Sequence, residues 1–351
     1  MEGAYWITGS VLVGLAGVLT YLYFAVRPVL PYLYVNTMLQ SRSGKFLTKS
    51  KITTLVESKN LTEFVNGLTD TFYQVDGSDL EDIHEAFTHR YVSLLTDIKN
   101  NTPKEFTELI NTYALLAEGS VIRYLYRSKF LGKPINSSYV YAIGVLTQKQ
   151  LSSMQSANDF AEFKALFSPT IYRKIMLREH NSVEDFEHSM DEFISDEIQT
   201  RLKKLKIADK NLIRDLFKMI LDQHNIMASF QSIVRGAPVH LLDGGFVSKQ
   251  KLKSADSVDA IQAAVENTLY APAFAQAKIA YAETARSAYF EIALERLIID
   301  IAQKEVLSKP QGAFSIFVHM LRAKQDKQNV QVISKGIEAQ LTKTKIEEMI
   351  V

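Results

Sequence analysis

From Gly3 to Val26 no side chain carries a charge, and polar positions are sparse. At 1.5 Å rise per residue such a run would span roughly 36 Å as a helix, more than a hydrocarbon core of about 30 Å. Tyr5, Trp6, Tyr21 and Tyr23 lie toward its ends, where amphipathic aromatics suit the headgroup boundary. The pattern predicts one N-terminal transmembrane helix with residues 5–26 in the lipid bilayer, and Gly9, Gly14 and Gly17 offer a close helix contact on it. A signal peptide fits less well, because only Met-Glu precedes the apolar run and the run is too long. Glu2 stands before the run, and Arg27, Arg42, Lys45, Lys49 and Lys51 follow it. The positive-inside bias therefore predicts a membrane-bound, single-pass chain with its N-terminus outside and its bulk in the cytoplasm.

Beyond residue 28 the apolar spacing becomes helical and repeats. Gly44 to Tyr73 aligns with Ile143 to Tyr172 without a gap, and six of the 30 aligned positions are identical. A third copy begins at Phe246, after Asp243-Gly244-Gly245, and brings Tyr270 into register with Tyr73 and Tyr172. Each copy opens on a hydroxyl residue suited to a helix N-cap (Thr48, Thr147, Ser248) and breaks at a second polar residue (Asn60, Asp159, Ser257), so two short helices are expected in each. Longer amphipathic stretches follow around Glu81, Glu187 and Glu291. A last hydrophobic helix is expected to open at Ser120, Asn225 and Asn329 and to end near Gly132, Gly236 and Gly336, where glycine suits a left-handed terminus. The expected fold is all-α: three related helical units of about 100 residues, either an open array or a closed, pseudo-threefold arrangement. The divisions fall at 1–33 for anchor and linker, then 34–134, 135–237 and 238–351 for the units.

Composition narrows the chemistry. Forty Lys and Arg against 39 Asp and Glu leave a formal charge of +1, so no nucleic-acid partner is indicated. The absence of Cys removes disulfides, thiolate metal sites and thiol nucleophiles. Gly44-Lys45-Phe46 lacks the first Gly and the hydroxyl of a phosphate-binding loop, and no nucleotide is expected. His84 and His89 stand five apart and diverge around a helix, unlike the four-residue spacing of a zinc pair. The acids between Glu184 and Glu197 alternate with Phe186, Met190, Phe193 and Ile194, as on the outer face of an amphipathic helix. No catalytic group, cofactor or metal site is expected.

Tyr34-Val35-Asn36, followed by Arg42 and Phe46-Leu47-Thr48, resembles the opening Tyr-x-Asn-Ala-Arg-Val-Arg…Leu-Leu-Thr of the C-subunit family of V/A-type ATP synthases, whose member in the eukaryotic proton pump is called the d subunit. The stretch from His319 to Val330, continuing through Ile333, Lys335, Gly336 and Leu341 to Ile350, is similar to that family's C-terminal pattern. Met38 and Gln40 replace the arginines that follow the Asn, and the family has no N-terminal membrane helix. The resemblance implies a non-catalytic socket of three helical units, seated on the membrane rotor ring and receiving the central shaft subunits of the ATPase head. Gly132, Gly236 and Gly336 are then the candidate shaft-facing segments, and the N-terminal helix is expected to descend into the ring lumen. The alternatives are a membrane-anchored helical scaffold unrelated to a rotary motor and, further off, a hydrolase using dispersed carboxylates.

Overall fold

The computed structural model describes residues 17–351 apart from 19, 22, 25, 76, 78, 137–139, 237 and 238. Among them there is no strand. Helix α1 (Leu30–Ser43) leads into two short helices, α2 (Lys49–Val56) and α3 (Leu61–Gly67), and then two long ones, α4 (Leu80–Asn100) and α5 (Lys104–Phe130). The order of short helices and then a long pair returns in α6 (Gln148–Ser156), α7 (Phe160–Ala165), α8 (Arg173–Leu177), α9 (Val183–Lys204) and α10 (Lys210–Arg235). It returns again in α11 (Lys249–Lys253), α12 (Val258–Val265), α13 (Ala271–Thr284), α14 (Ala288–Ser308) and α15 (Ala313–Glu338), and α16 (Lys343–Glu348) follows.

The short helices start where local chemistry requires. Thr48, Thr147 and Ser248 accept from the backbone N–H three residues on, and Asn60, Asp159 and Ser257 do the same for the second helix of each pair. Each pair ends in a turn of the same kind. Thr71, Thr170 and Thr268 accept from the N–H of Tyr73, Tyr172 and Tyr270 at 3.1, 3.2 and 3.2 Å.

The long helices pack in a cycle. Helix α9 lies along α5, α14 along α10, and α4 along α15, so the end of the chain meets its beginning. Asn36 on α1 reinforces that last joint, because its amide donates to the carbonyls of Gln311 and Gly312 at 2.8 and 3.2 Å.

The expected last helices begin elsewhere. Ser120, Asn225 and Asn329 lie inside α5, α10 and α15, not at their starts. A polar residue before an apolar run resembles an N-cap, but two of these are buried hooks. Asn225 grips the backbone of Leu242 at 2.9 and 2.7 Å, and Asn329 grips that of Val351 at 3.1 and 2.8 Å.

The membrane expectation is overturned. Among the described residues no helix is long and apolar enough to cross a membrane. Single-pass localisation and lipid contact through residues 5–26 are withdrawn with it. Trp6, Gly9 and Gly14 lie outside the described residues, whereas Gly17, Tyr21 and Tyr23 are exposed.

Candidate functional site

Two constructions recur along the chain: a buried carboxylate that holds the short-helix segment following it in the cycle, and a central cavity that the long helices enclose.

The carboxylates are Glu118 on α5, Asp222 on α10 and Asp326 on α15, at successive intervals of 104 residues. Glu118 accepts from the Leu146 N–H at 2.6 Å and from the Tyr172 hydroxyl at 2.5 Å. Asp222 accepts from the N–H groups of Phe246 and Val247 at 2.8 and 3.0 Å and from the Tyr270 hydroxyl at 2.9 Å. Asp326 accepts from the Leu47 N–H at 3.3 Å. Burial and the neighbouring Asp326 carboxylate raise the Tyr73 pKa, and the phenol in turn eases the charge on Asp326, but its hydroxyl comes short of a full hydrogen bond and is buried without a partner. Burial raises the pKa of all three acids, and the donors around them pull it partly back; Asp326, with the weaker set, is pushed up to about 7. His319 stacks on Phe46 beside this joint, and burial followed by the nearby Arg322 lowers it to about 4.

Two glycines make room for these acids. A Cβ at Gly144 would meet the Glu118 carboxylate at 2.8 Å, and one at Gly245 would collide with Asp222. Sequence reasoning brought Leu47, Leu146 and Val247 into register, together with Tyr73, Tyr172 and Tyr270. It missed the acids that bind them, whose only signal is an Asp or Glu at a regular interval within an apolar helical run.

The cavity, of about 490 Å³, is walled by α5, α10 and α15, with side chains from α4, α9 and α14 between them. Its walls use corresponding positions at intervals of 104: Leu116, Ile220 and Lys324; Ser120, His224 and Gln328; Arg123, Met227 and Gln331. The offsets of four and three residues keep each set on one helix face. Deeper in, the rings of Tyr113, Phe217 and Phe317 meet with centroids 5.3 to 6.4 Å apart, an apolar closure between the three helices. Two of the cations in its wall are paired. Arg123 binds Asp191 at 2.5 Å and Lys324 binds Glu295 at 3.1 Å. Burial opposes the charge on Lys324, but Glu295 outweighs it and the lysine's pKa rises. His224 is held neutral by burial, against the pull of Asp191.

None of the three candidate glycines lines this cavity. Gly132 and Gly236 follow the C-terminal ends of α5 and α10 with φ of 63° and 64°, and open space surrounds the place of a Cβ. Gly336 has no left-handed backbone. It lies within α15, where a Cβ would meet Ile346 Cγ1 at 2.6 Å, so it serves the seating of α16. Trp6, Gly9 and Gly14 belong to the undescribed segment, and Gly17, Tyr21 and Tyr23 touch neither construction.

Among the described residues the chain is all-helical, and its end packs on its beginning around a central cavity. The family model described as ATP synthase (C/AC39) subunit matches residues 35–349, and the chain belongs to that family of non-catalytic subunits. It is 23% identical to the C subunit of the A-type ATP synthase of Methanocaldococcus jannaschii, over 87% of this chain and 82% of the relative. Its identity to the proteins of the same name from Pyrococcus horikoshii and Desulfurococcus sp. is 24% and 23%, covering 91% and 98% of this chain and 90% and 98% of the relatives. These relatives replace the unrelated scaffold and the hydrolase as readings of the chain.

Proposed function

We propose that the chain is the central-stalk coupling subunit of a rotary ATPase or ATP synthase: a socket that receives the central shaft of the catalytic head, rests on the membrane rotor ring and transmits torque between them. In this reading residues 34–134, 135–237 and 238–351 are three related units set around a pseudo-threefold axis, and the cavity is the socket. The observation that carries it is the wall of corresponding residues, Ser120, His224 and Gln328 with their neighbours one turn away, presented by three long helices to one cavity. The aromatic closure at Tyr113, Phe217 and Phe317 supplies a floor against which an inserted end can bear. The helix ends at Gly132 and Gly236 then form part of the rim, beyond the last lining residues of α5 and α10.

Torque needs a wall that does not yield. The carboxylate joints at Glu118 and Asp222 stiffen the ring, because each binds an inner long helix to the neighbouring unit through two or three hydrogen bonds to a charged acceptor.

The chain has no Cys, so single cysteines report position cleanly. With Gln231→Cys in the purified complex, cross-linking is expected to join this protein to a shaft subunit and to leave ATP hydrolysis intact, since both parts turn together. A cross-link confined to stationary subunits, or a complex from which the chain is absent, refutes the assignment.

A further inference from the structure

The cavity holds one cation that lacks a carboxylate. Lys327 is only 7% exposed and lines the wall, yet among the described residues it makes no ion pair. Its ammonium sits 4.3 Å from the ring centre of Tyr141 and 5.9 Å from that of Tyr91, and it donates to the Tyr141 hydroxyl at 3.3 Å. Tyr91 is 2% exposed and also lines the cavity, and its hydroxyl is buried without a partner. Arg123 and Lys324, the other two strong cations there, are both neutralised within 3.1 Å.

Ring faces soften the burial of an ammonium but do not replace an anion, and a buried donor left unmatched is costly. The Tyr141 hydroxyl, having accepted from Lys327, keeps its own proton free to donate. The free Tyr91 hydroxyl is a further donor. Together they make a donor set complementary to an acceptor with two oxygens and a negative charge.

Position makes this set informative. The residues corresponding to Lys327 on the other two walls are Gln223 and Gly119, at intervals of 104, so one wall in three carries the charge. The three walls differ at other positions too, but Arg123 and Lys324 are already paired with Asp191 and Glu295, so among these cations Lys327 is the one left to discriminate between the orientations of an inserted rod. A single buried cation selects among them, because the two mismatched settings would leave both the cation and its partner desolvated and unpaired.

We propose that Lys327, Tyr91 and Tyr141 form the binding site for one carboxylate carried by the inserted end of the central shaft, and that this contact sets the shaft's orientation in the socket. The inference rests on the socket reading above. Lys327→Met keeps length and apolar volume while removing the charge, and Lys327→Arg keeps the charge. With purified full-length chain and the purified shaft subunits of the same complex, Lys327→Met is expected to weaken binding at least about tenfold and Lys327→Arg to retain most of it. The melting temperature of the free chain with Lys327→Met is expected to hold or rise, because an unpaired buried charge has been removed. Carbodiimide treatment of the assembled wild-type complex is expected to yield an amide between Lys327 and an Asp or Glu of a shaft subunit. Unchanged shaft affinity in Lys327→Met overturns the carboxylate site and leaves the socket standing, as does an amide formed only with Glu291 or Glu295 of this chain. A fall in the free chain's melting temperature that accompanies lost binding assigns Lys327 a structural role and also overturns it. A wild-type chain that binds no shaft subunit refutes the socket itself.

Discussion

The hydroxyl of Tyr172 donates to Glu118 across 2.5 Å, whereas Tyr73, at the corresponding place 99 residues earlier, leaves its hydroxyl unpartnered beside Asp326. One joint of the cycle is therefore slack. It is the joint between the two ends of the chain, where no peptide connection holds the neighbours together.

That difference separates two otherwise identical substitutions. Tyr172→Phe strips a donor from a buried carboxylate and is expected to destabilise by about 1–3 kcal/mol. Tyr73→Phe removes a hydroxyl that has no partner and is expected to change stability by less than about 0.5 kcal/mol, or to increase it. Urea unfolding of both variants checks the contrast; a loss of equal size would show that the Tyr73 hydroxyl is as well bound as that of Tyr172.

The slack joint also titrates. The folded-state pKa of Asp326, about 7, lies above its ordinary value of 3.8, so its contribution is full below pH 4 and is lost as pH rises through 7. His319, lowered from 6.5 to about 4, acts in the opposite sense, and its contribution is present above pH 6.5 and lost as pH falls through 4. The two slopes largely cancel between pH 4 and 6.5. Asp326→Asn, whose amide oxygen still accepts from Leu47, exposes the histidine slope. Its melting temperature relative to wild type should be lower at pH 5 than at pH 7.5, and a difference independent of pH would refute the pairing.

The sequence reveals these joints unevenly, for physical reasons. Thr48, Asn60, Thr147, Asp159, Ser248 and Ser257 could be read as caps because a cap is a contact over three residues, written locally. Leu47, Leu146 and Val247 fell into register because repetition survives divergence where side chains are buried. Glu118 stayed hidden because its partners lie 28 and 54 residues away, and Asp326 because Leu47 lies 279 residues away. Asn225 and Asn329 misled because a buried amide that grips a distant backbone has the same local surroundings as a cap. The central cavity was not legible in advance, since Ser120, His224 and Gln328 have no common chemistry and meet only through the cycle of helices.

Gly132 and Gly336, read alike from the sequence, should respond differently to alanine. At Gly132 the loss is backbone strain alone, about 1–2 kcal/mol for a left-handed residue with open space around it. At Gly336 the new methyl meets Ile346, an overpacking worth about 1–3 kcal/mol. Shortening the neighbour by Ile346→Val should recover part of the Gly336→Ala loss and none of the Gly132→Ala loss. Thermal melts of the single and double variants test this coupling.

Asn36 decides how firmly the ends of the chain are joined. It is fully buried, and its amide group donates to the carbonyls of Tyr32, Gln311 and Gly312 at 3.1, 2.8 and 3.2 Å. Asn36→Asp keeps the shape but exchanges those donors for oxygens that face carbonyl oxygens. Ionised, the new side chain would be a buried charge with only acceptors around it, so its pKa must rise in the folded state. Protonated, it recovers one donor. The variant should therefore be only mildly destabilised below about pH 4 and should lose roughly 3 kcal/mol or more as pH rises to 7. Asn36→Ala leaves the same carbonyls unmatched without introducing a charge, and its loss should be independent of pH. Hydrogen exchange at pH 7 should show the opening concentrated in α1 and the first turn of α15. Protection in both segments equal to wild type in Asn36→Asp would mean that the joint is held by apolar packing at Tyr32, Val35 and Leu39 without help from the amide.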